Sequence, residues 1–157
     1  MPMTVHGIFL WLDHSALANL IRASTWAFAA LEVVHLLGLT LLLGSISVLD
    51  LRLFGAGLRD QSITQIASDT SPIMMIGLAT SALTGVILAV AEANKLYYSD
   101  PFIIKMILFV LAVTFTFTFH RRLTTQEPSR GAALRGGIIS LILWFGVGFA
   151  GRGIAFF

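Results

Sequence analysis

The chain has 157 residues and a formal net charge of +2, and 57% of its residues are hydrophobic while only 11% are charged. Soluble domains carry about 25% charged residues, so this composition indicates one compact integral membrane domain without a separate soluble domain. The basic residues are too few and too scattered for a nucleic-acid-binding surface. The absence of cysteine excludes disulfides, thiolate metal sites and cysteine nucleophiles.

The first segment, 9–23, mixes apolar residues with Asp13, Asn19 and Arg22. This pattern predicts a short amphipathic helix in the outer membrane interface, or a cap over the mouth of the bundle. Either arrangement places His14 near the outer surface. Because the first basic residue is Arg22, the start of the chain does not resemble a cleaved signal peptide.

Apolar stretches long enough to cross a membrane follow at about 26–49, 73–91, 102–119 and 138–157. A helical span needs about 20 predominantly apolar residues to cross about 30 Å of hydrocarbon. Pro72 precedes the second stretch and is expected in the first turn of its helix. The sequence therefore predicts an all-α fold, a four-transmembrane-helix bundle with a short N-terminal interfacial amphipathic helix.

The basic residues predict the orientation of this bundle. Asp50 and Arg52 are expected where the first span leaves the membrane. On one side lie Arg52, Arg59, Arg121, Arg122, Arg130 and Arg135, and on the other lie Arg22, Lys95, Lys105 and Arg152. Basic residues concentrate in cytoplasmic connections, so both termini are expected to be periplasmic in an inner (plasma) membrane protein.

Small residues recur at every fourth position of the second span, at Gly77, Ser81, Gly85 and Ala89. Such a stripe is typical of close helix packing. It also suits a flat cofactor or a partner subunit, in a homo-oligomer or a larger membrane complex.

Several ionisable residues interrupt the predicted spans, and each is costly in lipid and therefore a candidate functional residue. Counted from the outer edge, Glu32 lies about 10 Å deep and His35 about 15 Å deep. Lys105 lies about 6 Å deep and Arg152 about 9 Å deep. Glu92 falls near the same boundary, so charged groups from all the spans are expected in the outer half.

Glu32 and His35 are three positions apart and share one helix face. A carboxylate in this position is expected to orient the imidazole or to raise its basicity. Gly38, one turn further on, is expected to leave room for a planar group. The alternative is a buried ion pair that fixes only the packing of the helices.

A haem iron would take His35 as an axial ligand, with His120, His14 or an open position opposite. His120 is counted about 28 Å from the outer edge, which is too deep to be level with His35. Copper would require further soft or imidazole ligands, and no methionine-rich cluster accompanies His35. A di-iron site requires two Glu-x-x-His motifs, and only one occurs.

Glu32 and His35 belong to a wider sequence pattern. It begins with Trp26, Glu32, His35, Gly38, Gly44 and the run DLRLFG at 50–55, and it continues with Thr84-Gly85, Phe102, Lys105 and Phe119-His120. Over nearly its whole length the chain resembles an uncharacterised bacterial family of small four-helix membrane proteins.

The chain is more distantly similar to the membrane domain of copper-resistance D proteins and to HemJ-type protoporphyrinogen oxidases. The latter resemblance implies a haem or porphyrin site that involves His35 and Lys105. Asp50-Leu51-Arg52 departs from the aromatic and proline-rich stretch of those oxidases, which argues against porphyrinogen oxidation.

The resulting expectation is a haem b-binding membrane protein that transfers electrons or senses redox state. Its predicted site residues are His35, Glu32, Gly38, Lys105 and Arg152, with the last two pairing with haem propionates. The alternatives are a membrane enzyme acting on a porphyrin or quinol, an accessory subunit without its own cofactor, and copper transport.

Overall fold

The computed structural model describes residues 4–123 and 125–154, which are helical with short connections and contain no strand. The helices are α1 (Val5–Asp13), α2 (Ala16–Ala23), α3 (Ala27–Leu53), α4 (Ile63–Ala91), α5 (Ala93–Tyr97), α6 (Asp100–Leu123) and α7 (Arg130–Gly153). Helices α3, α4, α6 and α7 are each long and apolar enough to cross a membrane. This confirms the predicted all-α architecture of a multi-pass membrane protein.

The second long helix begins nine residues before Pro72, so the expected position of this proline in the first turn is wrong. The Ser62 side chain caps the helix by accepting a hydrogen bond from the Gln65 backbone N–H at 3.0 Å. With 29 residues, α4 is about 43 Å long and exceeds the hydrocarbon thickness of about 30 Å. Its first turns are polar, and hydropathy alone therefore missed them.

The other long helices also extend beyond their predicted bounds. Helix α6 continues to Leu123 and α7 begins at Arg130, so most arginines assigned to connections lie on terminal helical turns. The last three residues of the predicted span 138–157 lie outside the described residues.

The predicted N-terminal helix consists of two short helices, α1 and α2. They separate at His14 because the Ser15 side chain accepts from the Ala18 backbone N–H at 3.2 Å and starts a new helix. Helix α5, directly after α4, was not predicted.

The four long helices run alternately up and down, so the chain termini lie at one end of the bundle and the α3–α4 and α6–α7 connections lie at the other. We call the half nearer the chain termini the terminal half, and the half with the α3–α4 and α6–α7 connections the loop half. The helices pack in two pairs, α3 with α4 and α6 with α7, and the α3–α4 contact is the most extensive. Contact between α3 and α7 joins the two pairs, whereas α4 and α6 make little contact. Two apolar clusters, centred on Leu49 with Leu123 and on Leu42 with Trp144, fill the loop half and the middle.

Backbone contact between α3 and α4 is unusually close. A Cβ atom built at Gly77 would lie 2.5 Å from the Leu42 nitrogen and 2.8 Å from the Gly38 oxygen. One built at Gly38 would lie 2.8 Å from the Ser81 nitrogen. The space that was expected beside Gly38 for a planar cofactor is therefore occupied by α4, and Gly38 serves helix packing.

We expect Gly77→Ala to destabilise the bundle by about 1–3 kcal/mol, because the added methyl group meets backbone atoms that cannot move independently. The measurement is the free energy of unfolding in a detergent titration. Gly44→Ala is the matched control, because no atom lies within 4 Å of its Cβ position. Equal effects of the two substitutions would contradict the packing role of Gly77.

Candidate functional site

His35 projects from α3 onto the small-residue stripe of α4, in the terminal half. Its Nδ1 atom lies 3.0 Å from Thr84 Oγ1, and the Thr84 hydroxyl donates to the Thr80 carbonyl at 2.6 Å. Because a hydroxyl has one hydrogen, Thr84 must accept from His35 Nδ1–H. The Ser81 backbone also hydrogen-bonds the ring, so α4 holds the imidazole through two residues.

Gly85 allows this contact. A Cβ atom there would lie 3.0 Å from His35 Cε1 and 3.5 Å from Nδ1, so a side chain would push the ring away. Thr84 and Gly85 therefore position the imidazole from α4. From the sequence, Gly85 was expected to serve helix packing and Thr84 was not assigned to the site, although the pair Thr84-Gly85 belongs to the same sequence pattern as His35.

Two of the predicted charged residues are electrostatic neighbours of this ring. Lys105 of α6 and Glu32 of α3 both act on His35 through their charges. Glu32 was expected to orient the imidazole, but Thr84 makes the hydrogen bond to Nδ1 and Glu32 is exposed. His35, Glu32 and Lys105 are thus electrostatic neighbours in the terminal half.

The lysine side chain rests on a glycine of α7. A Cβ atom at Gly151 would lie 3.5 Å from Lys105 Cε and 3.6 Å from Nζ. Arg152 is the next residue of α7 and is exposed. Glu92 is placed apart from His35, at the end of α4, where it pairs with Lys95 at 3.7 Å.

The two candidate second ligands lie in different places. His120 lies in the last turn of α6, in the loop half, with Nε2 2.9 Å from the Ala67 carbonyl oxygen. Ala67 and Thr84, the α4 partners of the two histidines, are about 25 Å apart along the helix. His14 is exposed beyond the end of α1. His120 and His35 therefore cannot approach the same iron in this arrangement.

Residues 4–123 and 125–154 contain no group of three or more His, Asp or Glu side chains that could hold a metal ion. Haem does not require such a group, because its porphyrin supplies the equatorial ligands and the chain supplies only the axial ones.

A second polar cluster in the loop half surrounds Asp50. This residue was expected at the membrane exit, but it is only 2% exposed because α3 continues past it. The Ser140 side chain hydrogen-bonds its carboxyl, whereas Oδ2 has no partner in the described part of the chain. Thr116 and His120 line the same cavity of about 20 Å³, which is large enough for one water molecule.

We expect Asp50→Asn to leave the free energy of unfolding unchanged or to raise it, because a neutral amide fits the cavity without the cost of burying a carboxylate. Asp50→Ala should lower it by about 1–3 kcal/mol, since Ser140 then loses its partner. Thermal unfolding in detergent measures both changes. A larger loss in Asp50→Asn than in Asp50→Ala would show that the negative charge itself is required.

Comparison with known proteins relates nearly the whole chain to one family. Residues 8–157 match the family of unknown function DUF6644. No curated protein and no solved structure matches the chain. The match includes every residue of the His35 site and of the Asp50 cluster, and the chain therefore belongs to the DUF6644 family.

Proposed function

We propose that this protein binds haem b in the terminal half of its bundle, with His35 as an axial ligand, and that it transfers electrons or senses redox state. The observation that carries the proposal is the hydrogen bond from His35 Nδ1–H to Thr84. Histidines that bind metals usually donate one ring N–H to a fixed acceptor, which leaves the other nitrogen free for the metal. With Nδ1–H donated to Thr84, the Nε2 atom of His35 would be left to bind the iron.

The surroundings of His35 support the same proposal. The two apolar clusters lie in the loop half and the middle, away from His35, and α4 and α6 make little contact with each other. Lys105 carries a positive charge near the ring and is suited to pair with a haem propionate. Arg152 is proposed as a second propionate partner, because it follows the glycine that contacts Lys105.

Bound haem would supply a one-electron iron couple. The chain's own residues would hold the ring of His35 in one tautomer through Thr84, and would balance the propionate charge through Lys105. Because α1, α2 and α5 lie against the terminal half, they would limit the access of water. His14 is the proposed second axial ligand, with an open position as the alternative.

We expect the purified protein to show a Soret band and a haem b pyridine haemochrome spectrum. His35→Ala should abolish both. Thr84→Val, which keeps the side-chain shape but removes the acceptor, should weaken haem affinity about 10- to 100-fold. His6→Ala is the control, since His6 bonds Tyr98 at 3.1 Å and lies in α1, apart from the His35 ring.

Protein that folds normally but lacks a Soret band after haem supplementation would overturn the haem proposal. Stable co-purification of such protein with a partner would favour the accessory-subunit alternative. Copper bound in place of haem would favour copper transport. Turnover of a porphyrin or quinol by the haem-loaded protein would favour the enzyme alternative.

The proposed orientation places both termini in the periplasm. An even number of long helices puts the two termini at one end of the bundle. Most of the arginines lie at the other end, which the positive-inside rule assigns to the cytoplasm.

We expect alkaline phosphatase fused to the C-terminus to be active in cells and green fluorescent protein at the same point to be dark. The same reporters inserted between α3 and α4 should give the opposite result. Fluorescence of the C-terminal fusion would reverse the proposed orientation.

A further inference from the structure

A pocket opens at the loop end of the bundle, at the opposite end from His35. It lies between the end of α3, the connection from α3 to α4, and the beginning of α7, and its volume is about 480 Å³. Arg52, Arg59 and Arg130 line it, and Leu53, Phe54 and Ile63 contribute its apolar walls. From the sequence, these arginines were expected only to determine the orientation of the bundle.

Backbone carbonyls hold two of the three guanidinium groups. Arg52 donates from Nε to the Gln61 carbonyl at 2.8 Å, and Arg59 donates from Nε to the Gly55 carbonyl at 2.7 Å. Gly55 has a φ of 71°, a conformation that glycine adopts without strain. The chain turns at this glycine, whose carbonyl accepts the bond from Arg59. Since these bonds use only Nε, the terminal Nη groups of both arginines keep donors for a ligand.

The third arginine occupies a position that does not favour helix stability. Arg130 is the first residue of α7, whose first turn contains no acidic residue. A positive charge at a helix N-terminus is repelled by the helix dipole. An anion in the pocket would relieve this repulsion, whereas the beginning of α4, which also reaches the pocket, is already capped by Ser62 and Glu127.

Glu127, a carboxylate whose charge interacts with the pocket residue Arg52, is already engaged. Glu127 accepts a hydrogen bond from the Thr64 backbone N–H at 3.0 Å, and this bond holds the pKa of Glu127 below its ordinary value. It therefore caps α4 as an anion. Asp60, next to Arg59 in the chain, is exposed.

We propose that this pocket binds a phosphate group carried by a larger molecule. Arginine pairs with phosphate through two parallel hydrogen bonds, and three guanidinium groups around one pocket match the charge of a phosphate ester. The volume falls within the range of about 300–1,000 Å³ typical of small-molecule sites. The apolar walls fit the organic part of the ligand, which is either the headgroup of an anionic phospholipid or a soluble phosphate ester.

The test measures the binding of short-chain phosphatidylglycerol, short-chain phosphatidylcholine and glycerol 3-phosphate to the full-length protein in neutral detergent. We expect phosphatidylglycerol to bind and to raise the melting temperature. Phosphatidylcholine should have little effect, because its choline cation offsets the phosphate charge and is repelled by the arginines. Glycerol 3-phosphate distinguishes a soluble ligand from a lipid. If it binds as tightly as phosphatidylglycerol, the ligand is a soluble phosphate ester, and if it binds much more weakly, the ligand is the lipid headgroup. Either result supports a phosphate site.

The variant Arg59→Gln/Arg130→Gln should weaken binding at least about tenfold while keeping the ligand-free melting temperature, because neither side chain is buried. The control is Arg135→Gln combined with Arg122→Gln. It removes the same charge near the same end of the bundle but changes no residue that lines the pocket. Binding that falls equally in both double variants, or no binding of any phosphate compound, would overturn the proposal.

Discussion

The close contact between α3 and α4 determines what the rest of the molecule can do. Gly77 lies against the backbone of Leu42, and Gly38 lies against that of Ser81, so the backbones of the two helices are in direct contact. In lipid, helices gain little from burying apolar side chains against each other, and such packing of small residues supplies much of the association. The same approach brings His35 over Gly85 and within hydrogen-bonding distance of Thr84.

Sequence patterns predicted the long helices and the clustering of charge better than they predicted individual contacts. Depth counting placed His35 and Lys105 in one half of the bundle because helical rise is constant. It could not identify Thr84 as the hydrogen-bond partner, because that contact depends on how α3 and α4 are rotated about their axes. The burial of Asp50 could not be predicted from depth either, because it depends on where α3 ends.

The terminal half is also held together by polar contacts that hydropathy does not register. Arg22 of α2 pairs with Asp13 at 3.0 Å and donates to the Ala91 carbonyl at 2.8 Å, at the end of α4. Asp13 in turn accepts from the Asn94 backbone N–H at 3.3 Å. A guanidinium at a helix C-terminus satisfies carbonyl groups that the helix leaves unpaired. These bonds fasten α1 and α2 to the terminal end of α4, seven residues beyond Thr84.

The two intramembrane polar clusters therefore differ in kind. Asp50 is enclosed by α3, α6 and α7 in a cavity that admits one water molecule, and His120 has its Nε2 atom engaged with Ala67. Both groups are committed to the interior of the loop half. His35 bonds Thr84 through Nδ1, and its ring is only partly buried, beside a lysine and away from the apolar clusters. Asp50 and His120 are enclosed by the bundle, whereas the partly buried imidazole of His35 remains within reach of a ligand, and the proposed cofactor site therefore lies in the terminal half.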